Sequence, residues 1–292
     1  MSIQIVQALL DGILMGGVYA LASLGLSLIF GVMRITNFAH GALMTVGMYA
    51  VYTLVMSCSI PLYVALFFSI LIMFALGYLI QRGLLRRLDH APMHNQILLT
   101  LGVSYIVANA LLAIFTPNYR TLQISQFQRA IRMGALTLSP AKLVAFVVAI
   151  FITAAIYILL YRTRIGSYIR ASSQDEEGAR LMGVNVQRVR AISFGIGVVC
   201  TGIAGGLLTP ILSIYPTLGE TFQLKCFVVA VMGGMGNLWG ALVSGLLVGV
   251  IESLTGYFLG GTWSEMMIYA GFVLILLLRP MGLFGRRNRR EG

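Results

Sequence analysis

Apolar residues run through this chain in long blocks, and polar residues gather in the short gaps between them. A helix crosses the hydrocarbon core of a bilayer with about 20 predominantly apolar residues. Eight stretches meet that measure, at roughly 6–32, 40–57, 61–81, 96–115, 141–161, 191–213, 227–251 and 263–279. The pattern predicts an all-α polytopic membrane bundle of about seven to nine spans, with residues 1–292 forming one transmembrane domain. The first block is read as a retained span, because Asp11 interrupts it and no basic stretch precedes it.

The seventh block is interrupted. Within FVVAVMGGMGNLWGALVSGLLVGVIE, glycines 233, 234, 236 and 240 flank Asn237, and a helix broken there is expected. The turn could be a re-entrant hairpin inside the membrane, or it could join two spans of which the first is short. Non-helical backbone at membrane depth survives only where protein buries it or water reaches it, and transporters tend to build binding sites from broken helices. Gly233, Gly234, Gly236 and Asn237 are therefore candidate pathway residues. The pairs Gly202–Gly206, Gly236–Gly240 and Gly245–Gly249 have the small-xxx-small spacing that lets helix backbones approach in lipid, and ordinary bundle packing accounts for most of them.

One gap stands apart. Residues 166–186, GSYIRASSQDEEGARLMGVNV, form the only long charged segment between two apolar blocks. Ser173 followed three residues later by Glu176 fits a capping box. Asp175, Glu176 and Glu177 fall where a helix dipole favours anions, Arg180 falls near the other end, and Gly183 supplies a left-handed stop. The spacing predicts a helix of about nine residues over 174–182, too short to be stable alone in water. Such a helix suits docking on another protein, with Ala179, Leu181 and Met182 as apolar anchors; the pattern alone equally fits a solvated loop with an incidental helical turn.

Composition agrees with the blocks. The 292 residues are 59% hydrophobic and 10% charged, against about 25% charged in soluble domains. A net charge of +11 would suggest nucleic-acid binding in a soluble protein, but here the basic residues punctuate the spans and report topology. Arg34, Arg82, Arg86, Arg87, the six arginines of 162–190, and Arg279, Arg286, Arg287, Arg289 and Arg290 make fifteen of the 20 basic residues. The remainder, Arg120, Arg129, Arg132, Lys142 and Lys225, fall on the opposite side. The positive-inside rule then puts the N-terminus outside, and the 166–190 loop and the C-terminus in the cytoplasm. Eight simple crossings would leave the C-terminus outside, so the broken seventh block must supply the extra reversal.

Candidate chemistry is sparse. Asn37 and His40 stand three residues apart at the start of the second span and share a face. His40 can titrate, can bond Asn37 or a solute, or can sit satisfied at the inner interface; both residues are candidates for a translocation pathway. Glu220, Glu252 and Glu265 fall near predicted outer ends, and Lys142 and Lys225 are expected outside the membrane core. Cys58, Cys200 and Cys226 have no metal-ligand spacing and are expected as free thiols. No catalytic constellation or metal site is found, and no GxxxxGK[ST] phosphate loop, so any ATP must be bound by another chain. A passive channel or secondary transporter would call for buried mid-span carboxylates, which the expected spans lack, and the missing catalytic groups disfavour a membrane-embedded enzyme.

Four blocks, GGVYALASLGLSLIFGVMRITNFAHG (16–41), 166–189, AVMGGMGNLWGALVSGLLVGVIE (230–252) and RPMGLFGR (279–286), resemble in order the permease subunits of branched-chain amino acid ABC transporters. The resemblance implies a bacterial inner-membrane permease for branched-chain or related amino acids. The wider group also imports urea, amides and other small polar solutes. Further implied are two cytoplasmic ATP-binding subunits, a second related permease subunit and an external solute-binding protein. Segment 166–190 becomes the coupling loop, in which Ser173, Asp175, Glu176, Glu177, Arg180, Met182 and Gly183 serve contact with the ATPase. The outer stretch TLQISQFQRAIRMGALTLSP departs from any particular member.

Overall fold

The computed structural model describes residues 2–88, 91–124, 127 and 130–285. Arg129 and the arginines of the C-terminal tail, Arg286, Arg287, Arg289 and Arg290, lie outside the described residues. The helices are α1 (Ser2–Met33), α2 (His40–Cys58), α3 (Leu62–Gly83), α4 (Met93–Phe115), α5 (Pro140–Arg162), α6 (Arg164–Gln174), α7 (Glu176–Leu181), α8 (Val186–Leu208), α9 (Leu218–Gly233), α10 (Leu238–Leu259) and α11 (Gly261–Leu278). Eight of them, all but α6, α7 and α9, are long and apolar enough to cross a membrane. Between α4 and α5 a small hairpin pairs β1 (Ile131–Met133) with β2 (Leu136–Leu138), Ile131 opposite Leu138. The Gln7 side chain clasps Thr137 in that hairpin, donating to its carbonyl at 2.6 Å and accepting from its N–H at 2.9 Å.

Helices α1 and α8 lie at the centre, and both are largely buried. Their neighbours turn apolar side chains such as Phe67, Leu71, Leu98, Ile106, Phe151 and Leu277 outward. In lipid such exposure carries no hydrophobic penalty, so the helices must associate by close packing. The glycine pairs show how. A Cβ on Gly249 would stand 2.3 Å from the carbonyl oxygen of Gly12, and one on Gly47 would stand 2.4 Å from that of Gly202. These contacts join α10 to α1 and α8 to α2 with backbones touching.

The arginine-rich gaps meet at one end of the bundle, here called the basic end: the C-terminal ends of α1, α3 and α5, the pair α6–α7, the start of α8 and residues 279–285. The broken seventh block turns at this end, because the loop after α9 abuts Gly31 in the last turns of α1. Helix α9 has 16 residues and starts nine residues before the expected Phe227. The block is a helix of 16 residues, a turn and a second helix of 22 residues, and only the second is long enough to count as a span.

A second break lies where a simple loop was expected. After Met33 the chain doubles back without helical structure, and α2 begins only at His40, whose ring Nε2 lies 2.9 Å from the carbonyl oxygen of Ala22. Ala22 is eleven residues short of Met33, about 16 Å at 1.5 Å per residue. His40 therefore stands fully buried beside the middle of α1. The largely buried backbone of 35–39 finds partners within the protein: Phe38 N–H donates to Thr100 Oγ1 at 3.3 Å, and the Asn37 carbonyl accepts from Gln223 Nε2 at 3.3 Å.

Candidate functional site

Three clusters carry the polar chemistry of the bundle. The first is the segment 163–190. Thr163 caps α6, its Oγ1 accepting from Gly166 N–H at 3.1 Å. A Cβ on Gly166 would lie 2.3 Å from the carbonyl oxygens of Leu159 and Leu160, so this glycine lets α6 fold back tightly on the end of α5. Arg170 secures the fold, donating to the Leu160 carbonyl and lying 4.9 Å from the Tyr161 ring centroid. The expected cap at Ser173 is not formed. Ser173 lies inside α6, and its hydroxyl donates to the Arg170 carbonyl at 2.8 Å. Asp175 caps α7 instead: it leaves helical geometry (φ −147°, ψ 108°), and its Oδ1 accepts from Gly178 N–H at 3.1 Å. An Asp placed between two helices can serve the second only because the first ends one residue earlier.

Helix α7 closes as expected at Gly183, with φ +80°. Val184 N–H reaches the Ala179 carbonyl and Gly183 N–H the Arg180 carbonyl, both at 3.0 Å, which is a Schellman closure. Glu176 pairs with Arg180 one turn on and with Arg190 of α8 at 2.6 Å, so one carboxylate ties α7 to the start of α8. Ala179 is buried and cannot be an external anchor. Leu181 and Met182 are 88% and 84% exposed, and Asp175 and Glu177 are exposed beside them.

The second cluster is the α9–α10 turn. Gly234 and Gly236 have φ of +90° and +86°, conformations that glycine adopts without strain. A Cβ on Gly240 would lie 1.9 Å from the Gly233 carbonyl oxygen. Asn237 caps α10 through Gly240 N–H at 3.2 Å and donates from Nδ2 to the Phe284 carbonyl at 2.9 Å. Leu283 N–H reaches the Met232 carbonyl at 2.7 Å, and Gly236 N–H reaches Ser27 Oγ at 3.0 Å. The blocks GGMGNLWG and RPMGLFGR are thus parts of one structure. A cavity of about 470 Å³ separates it from the first cluster, with Arg170, Ser173 and Gln174 on one side and Gly236, Asn237 and Trp239 on the other.

The third cluster is deeper, where the starts of α2 and α9 meet. A Cβ on Gly41 would lie 2.0 Å from the Gly219 carbonyl oxygen. Gln223, which the sequence did not single out, joins the two, accepting from Gly41 N–H at 2.7 Å while donating to Asn37. Asn37 Oδ1 accepts from Ala39 N–H at 3.0 Å. Asn37 Nδ2 and His40 Nδ1 are buried without a partner among the described residues. A cavity of about 230 Å³ beside this junction is lined by Phe38, Ala42, Gly219, Glu220, Gln223 and neighbours on α4. The candidate pathway residues thus fall into two groups. Asn37 and His40 lie level with Ala22, whereas Gly236 abuts Gly31, nine residues or about 14 Å further along α1.

Lys225 is a further correction. It sits mid-way along α9 with 8% of its side chain exposed, 2.7 Å from Glu252 of α10 and 3.8 Å from Glu265 of α11. Its ammonium is 5.9 Å from the ring centroids of Tyr19 and Phe222. Together with the Asp11–Lys142 pair at 2.8 Å, these charges line a cavity of about 510 Å³ at the end opposite the basic end. The expected apolar block starts at Phe227 and leaves Lys225 before it, whereas α9 starts at Leu218 and takes Lys225 in.

These features define a polytopic membrane protein with two interrupted helices and a polar surface segment built on a helix pair. Residues 8–277 match the family described as branched-chain amino acid transport system / permease component, and the chain belongs to that family of transport permeases. It is 28% identical to the high-affinity branched-chain amino acid transport system permease protein BraD of Pseudomonas aeruginosa, over 96% of this chain and 95% of that one. It is 27% identical to the corresponding protein LivH of Escherichia coli over the same shares. A shorter match, 26% over 42% of this chain and 41% of the other, joins it to the ribose import permease protein RbsC of Escherichia coli.

Proposed function

We propose that this chain is the membrane-spanning subunit of an ATP-driven importer of branched-chain or related amino acids in a bacterial inner membrane. It works with two cytoplasmic ATP-binding subunits, a second, related permease subunit and an external solute-binding protein. The basic end faces the cytoplasm, as the distribution of arginines implies. The observation that carries the reading is the capped α6–α7 pair, which presents Leu181 and Met182 at the basic end while Glu176 ties it to α8. ATP can bias the permease only through contacts that differ between two states. A small helix, braced behind and apolar in front, is suited to transmit such contacts.

The amino acid path passes the junction of α2 and α9. Two helix N-termini meet there, and their dipoles suit a carboxylate, while Asn37 Nδ2 and His40 Nδ1 have no partner among the described residues. The cavity between Arg170 and Asn237 lies between that junction and the coupling helices, so motion of α6 can reach the α9–α10 turn directly.

The test is uptake of radiolabelled leucine in a strain expressing the chain with its partner subunits. Leu181→Asp with Met182→Asp should abolish uptake and stimulated ATP hydrolysis, with normal amounts of the chain in the membrane. Glu176→Gln should lower both by severalfold. Full uptake by the double variant rejects the coupling assignment. Uptake of ribose or urea with no competition by leucine, isoleucine or valine rejects the substrate class.

A further inference from the structure

At the basic end, the last turn of α3, the short 3₁₀ turn Leu85–Leu88 and the first turn of α8 border a half-open cavity of about 470 Å³. Arg82, Arg86 and Arg188 line it with Gln81, Asn185 and Tyr78. Among the described residues no carboxylate lines it, and none of the three arginines has an ion pair. Like charges brought to one cavity repel unless an anion joins them. Gln81 makes a second, independent observation: its side chain lines the same cavity, is 1% exposed, and its Nε2 has no hydrogen-bond partner among the described residues. A buried amide donor left unpaired is a rare and costly arrangement. It cannot easily swing outward, because one turn earlier α3 is pressed on α8, where a Cβ on Gly77 would lie 3.0 Å from Gly195 Cα.

The geometry points to a site for the phosphodiester headgroup of an anionic phospholipid. Guanidinium groups match phosphate oxygens in charge and in fork geometry, and the Gln81 amide supplies a neutral donor from the cavity wall. Toward the middle of the bundle the outward side of α3 is apolar, with Phe67, Leu71, Phe74 and Leu79 exposed. Acyl chains can lie along that face while the headgroup occupies the cavity, an arrangement a free phosphate ion has no use for. Basic pockets between helices on the cytoplasmic side are a recurrent place for acidic headgroups. The occupant would brace the start of α8, where Asn185 caps the helix through Arg188 N–H at 3.0 Å, a few residues from the Arg190–Glu176 tie.

The experiment uses the full chain purified in detergent, with native mass spectrometry counting retained phosphatidylglycerol against phosphatidylcholine of the same acyl composition. Phosphatidylglycerol should be retained preferentially. The double variant R82Q/R188Q should weaken that preference roughly thirtyfold, as expected for two arginines near an acidic headgroup. A control that removes equal charge elsewhere at the basic end, R162Q/R164Q, should retain it. Gln81→Leu should weaken binding severalfold without changing the charge, with size exclusion and circular dichroism confirming a folded protein. Equal loss in the control would reduce the effect to bulk charge and overturn the site. Undiminished binding in R82Q/R188Q would overturn it as well, and displacement of the lipid by millimolar inorganic phosphate would overturn its assignment to a headgroup.

Discussion

The coupling segment and the α2–α9 junction solve the same problem, a helix that must start within a membrane protein, by opposite means. On the surface, α6 and α7 are started by side chains of their own sequence, Thr163 and Asp175, and α7 is stopped by Gly183. At the junction, Gln223 and Thr100, distant along the chain, satisfy the backbone around the start of α2, and Gly41 and Gly219 let the two starts touch. Local devices suffice where water can satisfy whatever remains. In the interior every polar group needs a partner from elsewhere in the protein, so the junction depends on the whole fold.

That contrast can be broken experimentally, and the largest effect is expected at the junction. Gly41→Val places side-chain carbon against the Gly219 backbone, where overpacking should cost about 3 kcal/mol. Thermal unfolding in detergent should show a large drop in Tm and loss of monodisperse protein, and a mild effect would mean that the two starts can separate freely. The Lys225–Glu252 pair should come next. Lys225→Met leaves Glu252 without its partner, and since Glu252 retains some exposure the loss should be about 2–3 kcal/mol. Adding Glu252→Gln should recover most of it, and a double variant no better than the single would show that the pair is not the coupled unit. The smallest effects belong to the surface segment and test which residue caps α7. Asp175→Ala should cost about 1 kcal/mol, read as faster amide exchange over 176–182. Ser173→Ala should change exchange there hardly at all, and the reverse order would restore Ser173 as the cap.

The same contrast explains what was legible in the sequence. The charged segment could be read because its signals are adjacent: acidic residues, an arginine one turn on, a glycine stop. The cap was misplaced by two residues because Ser173 and Asp175 both offer a suitable side chain, and only the continuation of α6 to Gln174 decides between them. The break at Gly233–Asn237 was visible in the glycines. The gap over 33–39 was visible between two apolar blocks, but its depth beside α1 was not, since that is set by contacts of Phe38 with Thr100 and of Asn37 with Gln223. Lys225 was misplaced for a related reason, because α9 begins in the polar run LGETFQ and no apolar pattern announces it. Hydropathy alone located seven of the eight long helices, while the expected block 227–251 straddles the end of α9 and the first part of α10.

Gln223 has one more consequence. Its amide holds the Gly41 N–H and the Asn37 carbonyl at once, two points of the same segment approached from α9. Sliding α9 along its own axis would release one of them, whereas swinging it about the point where Gly41 meets Gly219 would keep both. The junction therefore permits tilt and resists translation, and a rearrangement of α9 during a transport cycle should take the form of a pivot.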